Sequence, residues 1–502
     1  MENNIFILGP VFIPLLAAIL CLPAARNNRI QRIIALISGA LAWGSAAMVL
    51  YDNLQNNQIQ IYRMGGWQPP YGIVFVGDLL SATFVLMTTT ILFAGILYVY
   101  HSKDKSANYP AFVPSFLMMC AGLGGAFFTG DIFTLFVFIE LTVISSVVLV
   151  ATSDNPLGLE AAMKYLLISG LGTLFLLIGI AAFYITFGTL NMADIGRLLQ
   201  LAGDDFPLLT QAAVVMLMSA FLLKSAVFPF HFWQPDFHTT APTAVGAMLS
   251  SVVVKIGIYG IIRLLTLFFV PEDALILDNV LLILGLIGIF FGSLAALRTY
   301  HAKRILAYST FGQIGFILVG LGWGTATAMV GAIVYAVNHA FIKSSLLMLT
   351  GVVSSKTKTK TGDLVNMVGV GKSMRMNGLL YFLGGLALSG VPPMNGFISK
   401  LSLIQGGIST ENWWSIGLVV GSGLLTLLYM MRTWSLIFQQ KPNENTAQLK
   451  PAGEGDRLYA PALLILICVG LGLYARPLVE LVQLTVDQII VPSNYIQAVL
   501  GG

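Results

Sequence analysis

The amino-acid sequence predicts an all-α, polytopic membrane protein of about 14 transmembrane helices, in which two inverted repeats of about five helices each contain a broken helix. Three observations lead there. The 502 residues are 57% hydrophobic and 10% charged, with a mean hydropathy of +0.85. A soluble globular chain carries roughly 25% charged residues. Apolar runs of about 20 residues, long enough to cross a hydrocarbon core, recur from end to end with loop-length polar breaks. Lysine and arginine concentrate in alternate breaks, the pattern left by repeated crossing.

Residues 1–110 form an N-terminal group, with runs at 5–24, 30–50 and 73–100. The start, MENNIFILGPVFIPLLAAILCLPAARNNR, has no basic n-region, and its apolar stretch is long enough to span, so it reads as a retained helix. Residues 111–268 form the first repeat, with runs at 111–129, 131–151, 162–188, 208–230 and 243–268. Its fourth run is interrupted by AVFPFHFWQPDFHTTAPT, with Pro229, Pro235 and Pro242. Residues 275–438 form the second repeat, with runs at 275–297, 303–323, 326–353, 378–407 and 412–438. There LSGVPPMNGFISK, with Pro392, Pro393 and Gly396, interrupts the fourth run. Proline and glycine free backbone groups that lipid cannot satisfy, so such breaks face protein or a water-filled cavity. Residues 457–502 supply a last helix, 457–482, and a tail. The longest polar stretches, near 51–72, 354–377 and 439–457, are loops, so 1–502 is a single membrane domain and function lies in the helices.

The basic residues set the orientation. Loops after odd-numbered helices carry Arg26, Arg29, Arg32, Lys103, Lys105, Arg298, Lys303, Arg304, Lys356, Lys358, Lys360, Lys372, Arg375, Lys441, Lys450 and Arg457. Even-numbered loops hold Arg63 and Arg197 beside the acids Asp194, Asp204, Asp205, Glu272, Asp273 and Glu411. The odd loops are therefore expected in the cytoplasm and both termini outside.

Against this background five charges stand out. Glu140 follows Asp131 by nine residues, about 14 Å into its helix at 1.5 Å per residue. Lys224 lies within its run just before the Pro229 break, Lys255 sits in the middle of AMLSSVVVKIGIYGIIR, and Lys400 follows the second break. His339 and Lys343, in VNHAFIKSSLL, share a helix face with a spacing of four. On insertion scales Glu140, Lys224, Lys255, Lys343 and Lys400 together cost on the order of 15 kcal/mol, so they must pair, be hydrated or be partly neutral. One acid with several lysines and a histidine, mostly on separate helices, suits a lateral proton relay. Breaking and remaking a Glu140–Lys224 pair would switch that lysine between holding and releasing its proton. Gly170, Ser250, Ser251, Ser344 and Ser345 would leave room for water, although small residues also serve helix packing. Blander readings apply elsewhere: Asp131 as an N-cap, Lys164 and Arg432 reaching headgroups from helix ends, and His231, Asp236 and His238 as interfacial loop residues.

These residues resemble the proton-translocating antiporter-like subunits shared by Mrp-type multisubunit cation/proton antiporters and respiratory complex I. The resemblance covers nearly the whole chain and rests on the acid Glu140, on LLKSAVFPFHFWQPDFH, on Lys255, on HAFIKSSLL and on GVPPMNGFISK. It implies that Glu140 and Lys224 form a functional ion pair, that Lys255, His339 and Lys343 relay protons, and that Lys400 ends the half-channel. Within the family, GGWQPPYGIVFVGDLLSA and GDIFTLFVFIEL are most similar to the D-type subunits of Mrp antiporters. That implies a subunit of a hetero-oligomeric Na+/H+ antiporter in the bacterial cytoplasmic membrane, with other antiporter subunits, H+ and Na+ as its partners.

The alternative within transport is a proton-pumping membrane subunit of an NADH:quinone oxidoreductase or membrane-bound hydrogenase. The chain has no nucleotide, flavin or iron–sulfur motif, so no cofactor is expected and it is not a complete redox pump. Cys21, Cys120 and Cys468 lie far apart in apolar runs, without metal-binding spacing. A polytopic enzyme acting on lipid would need an HExxH or a nucleophile with a base, and neither is found. The net charge of +4 carries no implication of nucleic acid binding.

Overall fold

The computed structural model describes residues 4–202, 208–269, 271–447, 449 and 455–501, without the side chains of 271–275. The loop acids Asp204 and Asp205, the side chains of Glu272 and Asp273, and Lys450 lie outside the described residues. The chain is mostly helical, and its helices follow the apolar runs: α1 (Gly9–Cys21), α2 (Asn28–Asn56), α3 (Leu79–His101), α4 (Phe112–Phe128), α5 (Ile132–Ala151) and α6 (Pro156–Phe187). After them come α7 (Met192–Ala202), α8 (Leu208–Lys224), α9 (Gln234–Thr240) and α10 (Thr243–Leu267). Next are α11 (Pro271–Arg298), α12 (Ala302–Gly322), α13 (Ala326–Lys356), α14 (Arg375–Ser389), α15 (Asn395–Ile408) and α16 (Trp413–Trp434). The C-terminal part is α17 (Tyr459–Leu473), α18 (Arg476–Ile489) and α19 (Pro492–Leu500). Among the described residues, nine helices are long and apolar enough to cross a membrane, and three shorter apolar ones, Ile5–Cys21, Phe112–Phe128 and Leu208–Lys224, accompany them.

Four details depart from the sequence reading. The run at 73–100 opens not as helix but as strand β2 (Val74–Gly77), paired antiparallel with β1 (Gln60–Arg63). Its helix begins only after Asp78, whose carboxylate caps the Ser81 N–H at 2.8 Å. The run at 457–482 does not stay straight: α17 and α18 meet at 80° around Tyr474. The C-terminal tail is helical, in α18 and α19, and α7 occupies what was read as a loop.

The two interruptions are real breaks, and their ends are closed alike. At the end of α8, Val227 N–H bonds Leu222 O and Ala226 N–H bonds Leu223 O, both at 3.0 Å, with Ala226 at φ +55°. At the end of α14, Val391 N–H bonds Leu386 O at 3.0 Å and Gly390 sits at φ +79°. Both are Schellman-type closures, which satisfy the carbonyls that a broken helix would otherwise leave bare. Beyond the first break α9 is seated on α6 by Phe237 stacked on Tyr165, with ring centroids 4.1 Å apart.

Candidate proton-relay site

The site is built in three groups. In the first, α5 brings Glu140 to the edge of the bundle and α8 brings Lys224 to it from inside, with Nζ 3.4 Å from Oε1 and side chains 25% and 5% exposed. α6 completes it: Ser169 Oγ lies 2.5 Å and Ser169 O 3.4 Å from Lys224 Nζ, and Thr173 donates its hydroxyl to Glu140. Lys224 can therefore let go of the carboxylate without losing every acceptor, which a switch requires and a static bridge does not. α6 comes this close because Gly172 faces α8, where a Cβ would meet Leu223 at 3.0 Å and Lys224 Cε at 3.6 Å.

The second group lies between α10 and α13. Lys255 Nζ is 2.6 Å from His339 Nδ1, and both are buried. At that distance one partner donates and the other accepts, so the two share one bridging proton. Lys343, one turn on from His339, is fully buried, and among the described residues neither its Nζ nor His339 Nε2 has a hydrogen-bond partner. A π-helical turn, Leu249–Val253, immediately precedes Lys255 in α10, the kind of local distortion that recurs at functional sites. Its Ser250 hydroxyl bonds that of Thr310 on α12.

Lys400 forms the third group on its own. It points back from α15 across the second break, donating to Ser389 O at 2.7 Å with its ammonium 5.3 Å from the Phe316 ring centre. Gly390 allows this: besides its positive φ, a Cβ there would meet Lys400 Cδ at 2.5 Å. Between His339 and the second break lies a cavity of about 10 Å³, room for about one water, lined by Gln313, Tyr335, Ser399 and Gly396 among others. Around it Tyr335 donates to Gln313 at 2.5 Å and Asn338 to Ser399 at 2.9 Å.

The structure thus joins Glu140 to Lys224 and Lys255 to His339, places Lys343 beside the latter pair, and leaves Lys400 apart. Sequence reasoning missed the neutral groups Ser169, Thr173, Gln313, Tyr335 and Ser399. It also set aside His238, which is buried at the end of α9 with neither ring nitrogen partnered among the described residues and with Lys343 and Lys255 within electrostatic reach. Of the small residues, Gly170 faces outward rather than into the relay, with no described atom within 4 Å of where a Cβ would stand, Ser251, Ser344 and Ser345 bond carbonyls of their own helices, and Ser250 bonds Thr310. Lys164 and Asp236 belong to a surface cluster, Lys164 with Glu160 at 2.5 Å and Asp236 with Arg304 at 3.0 Å. Arg432 lies over the Tyr300 ring rather than extending freely, 4.4 Å from its centre. Asp131 is an N-cap, accepting from Thr134 N–H at 2.7 Å. Among the described residues no three His, Cys, Asp or Glu side chains converge as metal ligands.

A bundle of apolar helices, two of them broken, with charged groups held between helices, has the build of a transporter component of the antiporter-like type. A family model for the NADH:quinone oxidoreductase/Mrp antiporter transmembrane region matches residues 129–426, which hold all six relay candidates. The chain belongs to that family. It is 32% identical to the D subunit of the Na(+)/H(+) antiporter of Alkalihalophilus pseudofirmus over 99% of both chains. It is 30% identical to the N subunit of the NADH-quinone oxidoreductase of Desulforudis audaxviator, over 99% of this chain and 98% of the other. A chain of the Mrp complex from Dietzia sp. superposes with a TM-score of 0.88 at 24% identity, over 99% of this chain and all of the other, which shows a shared fold.

Proposed function

We propose that this chain is the proton-translocating D-type subunit of a multisubunit Na+/H+ antiporter in a bacterial cytoplasmic membrane, assembled with other antiporter subunits. The observation that carries the reading is the Lys255–His339 contact of 2.6 Å, two bases from different helices sharing a proton in a fully buried site. Neutral packing residues would serve stability better there, so the contact argues for proton transfer. In the proposed cycle Lys224 leaves Glu140 for Ser169 and gives up its proton towards Lys255. The proton bridging Lys255 and His339 passes to Lys343, then through the Gln313–Tyr335 cavity to Lys400. Fourteen crossings follow if α1, α4, α8, α17 and the broken α14–α15 segment each count as one beside the nine long helices. The repeats at 111–268 and 275–438 then each hold one break, and the distribution of Lys and Arg supports both termini outside.

The oxidoreductase relative supports a second reading, a proton-pumping subunit of a redox complex. One experiment separates them. The full set of neighbouring subunits is expressed in an antiporter-deficient bacterium, and everted vesicles are assayed for collapse of a pH gradient on adding Na+. Collapse in the wild type, absent from an equally assembled Lys224→Ala complex, is the expected result. A wild-type complex inert to Na+ but able to acidify vesicles when given NADH would replace this proposal with the redox reading.

A further inference from the structure

A relay that crosses the membrane sideways needs walls as well as stations. Lys255, Tyr259 and Arg263 are spaced by four along α10 and so line one helix face, running from the buried relay towards the C-terminal end of α10, the face of the bundle that Asp78 and Tyr495 also reach. Tyr259 is fully buried, packed against Phe127 and Phe84 with ring centroids 5.1 and 5.7 Å away, and those two rings are 5.5 Å from each other. Its hydroxyl donates to Phe127 O at 2.6 Å and accepts from Arg263 Nε at 3.0 Å, so both of its bonds are committed. Arg263 closes the stack: both terminal nitrogens bond the buried Asp78 carboxylate at 2.6 Å, and its guanidinium sits 5.1 Å from the Tyr259 and the Tyr495 rings. Asp78 is itself fixed by Ser81 N–H and Oγ, each at 2.8 Å.

We propose that the Phe84–Phe127–Tyr259 layer and the Asp78–Arg263 pair above it form a proton-tight seal, which stops Lys255 from exchanging with water at that face and directs its proton sideways to His339. This rests on the relay reading of Lys255. Guanidinium only donates hydrogen bonds and does not deprotonate in proteins, so it cannot pass a proton on, and its two bonds to Asp78 engage both carboxylate oxygens that would otherwise accept one. The aromatic layer excludes the water wire that would be the other route. Tyr495 brings α19 into the seal, which gives the C-terminal tail a part in it.

The test uses the assembled complex in sodium-free vesicles under a potassium diffusion potential with valinomycin, with a trapped pH dye reading passive proton entry. Asp78→Asn combined with Arg263→Gln removes both charges together, and Tyr259→Ser opens the aromatic layer while leaving the pair intact. Each assembled variant is expected to leak protons severalfold faster than wild type, and adding Lys255→Ala is expected to abolish the leak. Tight vesicles from both variants, or a leak that survives Lys255→Ala, would overturn the proposal. Should the double variant fail to assemble, Tyr259→Ser decides alone. No sodium enters this measurement, so a wild type lacking sodium exchange would count against the proposed function and leave the seal to stand or fall by the leak.

Discussion

Replacing Glu140 by aspartate keeps the charge and withdraws it by one C–C bond, about 1.5 Å. At an effective dielectric of about 20, a contact of 3.4 Å carries about 5 kcal/mol of attraction, and lengthening it to about 4.9 Å leaves about 3.4. The loss of about 1.5 kcal/mol is roughly tenfold in the population of the closed pair. These are upper bounds, because the Glu140 side chain is 25% exposed and water screens part of the attraction. Glutamine removes the attraction altogether while keeping shape and the bond from Thr173, and Lys224 retains Ser169 as acceptor, so assembly should survive. The expected order of sodium-driven proton exchange, measured in everted vesicles and normalised to assembled complex, is wild type, then Glu140→Asp lowered by up to about tenfold, then Glu140→Gln inactive. Exchange at the wild-type rate in assembled Glu140→Gln would refute the switching role of the pair.

Three further outcomes are expected. Gly390→Ala puts a methyl into a left-handed position and against the Lys400 stem, so exchange should fall with assembly largely kept; a Lys400 that works unchanged in this variant would contradict its described placement. Tyr335→Phe strands the buried Gln313 carbonyl, at a cost of about 1–3 kcal/mol, and should lower both melting temperature and exchange rate, whereas a purely structural bond would move the melting temperature alone. At the start of α12, burial pushes the His301 imidazole down to about 4, with Lys303 and Arg304 adding to the effect and Asp363 opposing it. The unfolded ring takes its proton near 6.5 and the folded ring does not, so stability at this corner is full above pH 6.5 and is lost as pH falls towards 4, by at most about 3 kcal/mol. Hydrogen-exchange protection at residues 301–305, corrected for the intrinsic pH dependence of amide exchange, should fall at pH 5 relative to pH 7 in wild type and not in His301→Asn, which keeps a capping side chain without the titration.

The helices and their two breaks were legible in the sequence because lipid leaves little choice: a run of apolar residues must be helical, and Pro229 or Pro392 with Pro393 must interrupt it. The buried charges were legible for the same reason, since Glu140 or Lys255 is too costly at that depth to pass unnoticed. What escaped was everything that depends on which way a helix faces. In a bundle both the lipid side and the packed side are apolar, so no periodicity marks Gly170 as outward-facing or Gly172 as the close contact with α8. Neutral polar residues escaped for a related reason: a single Gln313 or Ser399 in an apolar run costs too little to stand out. The amphipathic helices α7 and α19 carry enough polar residues to read as loop and tail, α18 begins inside the run that reads as one last helix, and of the hairpin at Gln60–Gly77 only β2 lies in a run that reads as a span, β1 falling in a polar stretch.

On the proposed route protons cross between the two halves of the chain through the Lys255–His339 contact. Sodium-driven proton exchange by an assembled Lys255→Ala complex tests it most directly, since every proposed step on either side of that lysine must pass through it. Loss of exchange, with the complex present at wild-type level, is the result expected of that route. Exchange at the wild-type rate would contradict it.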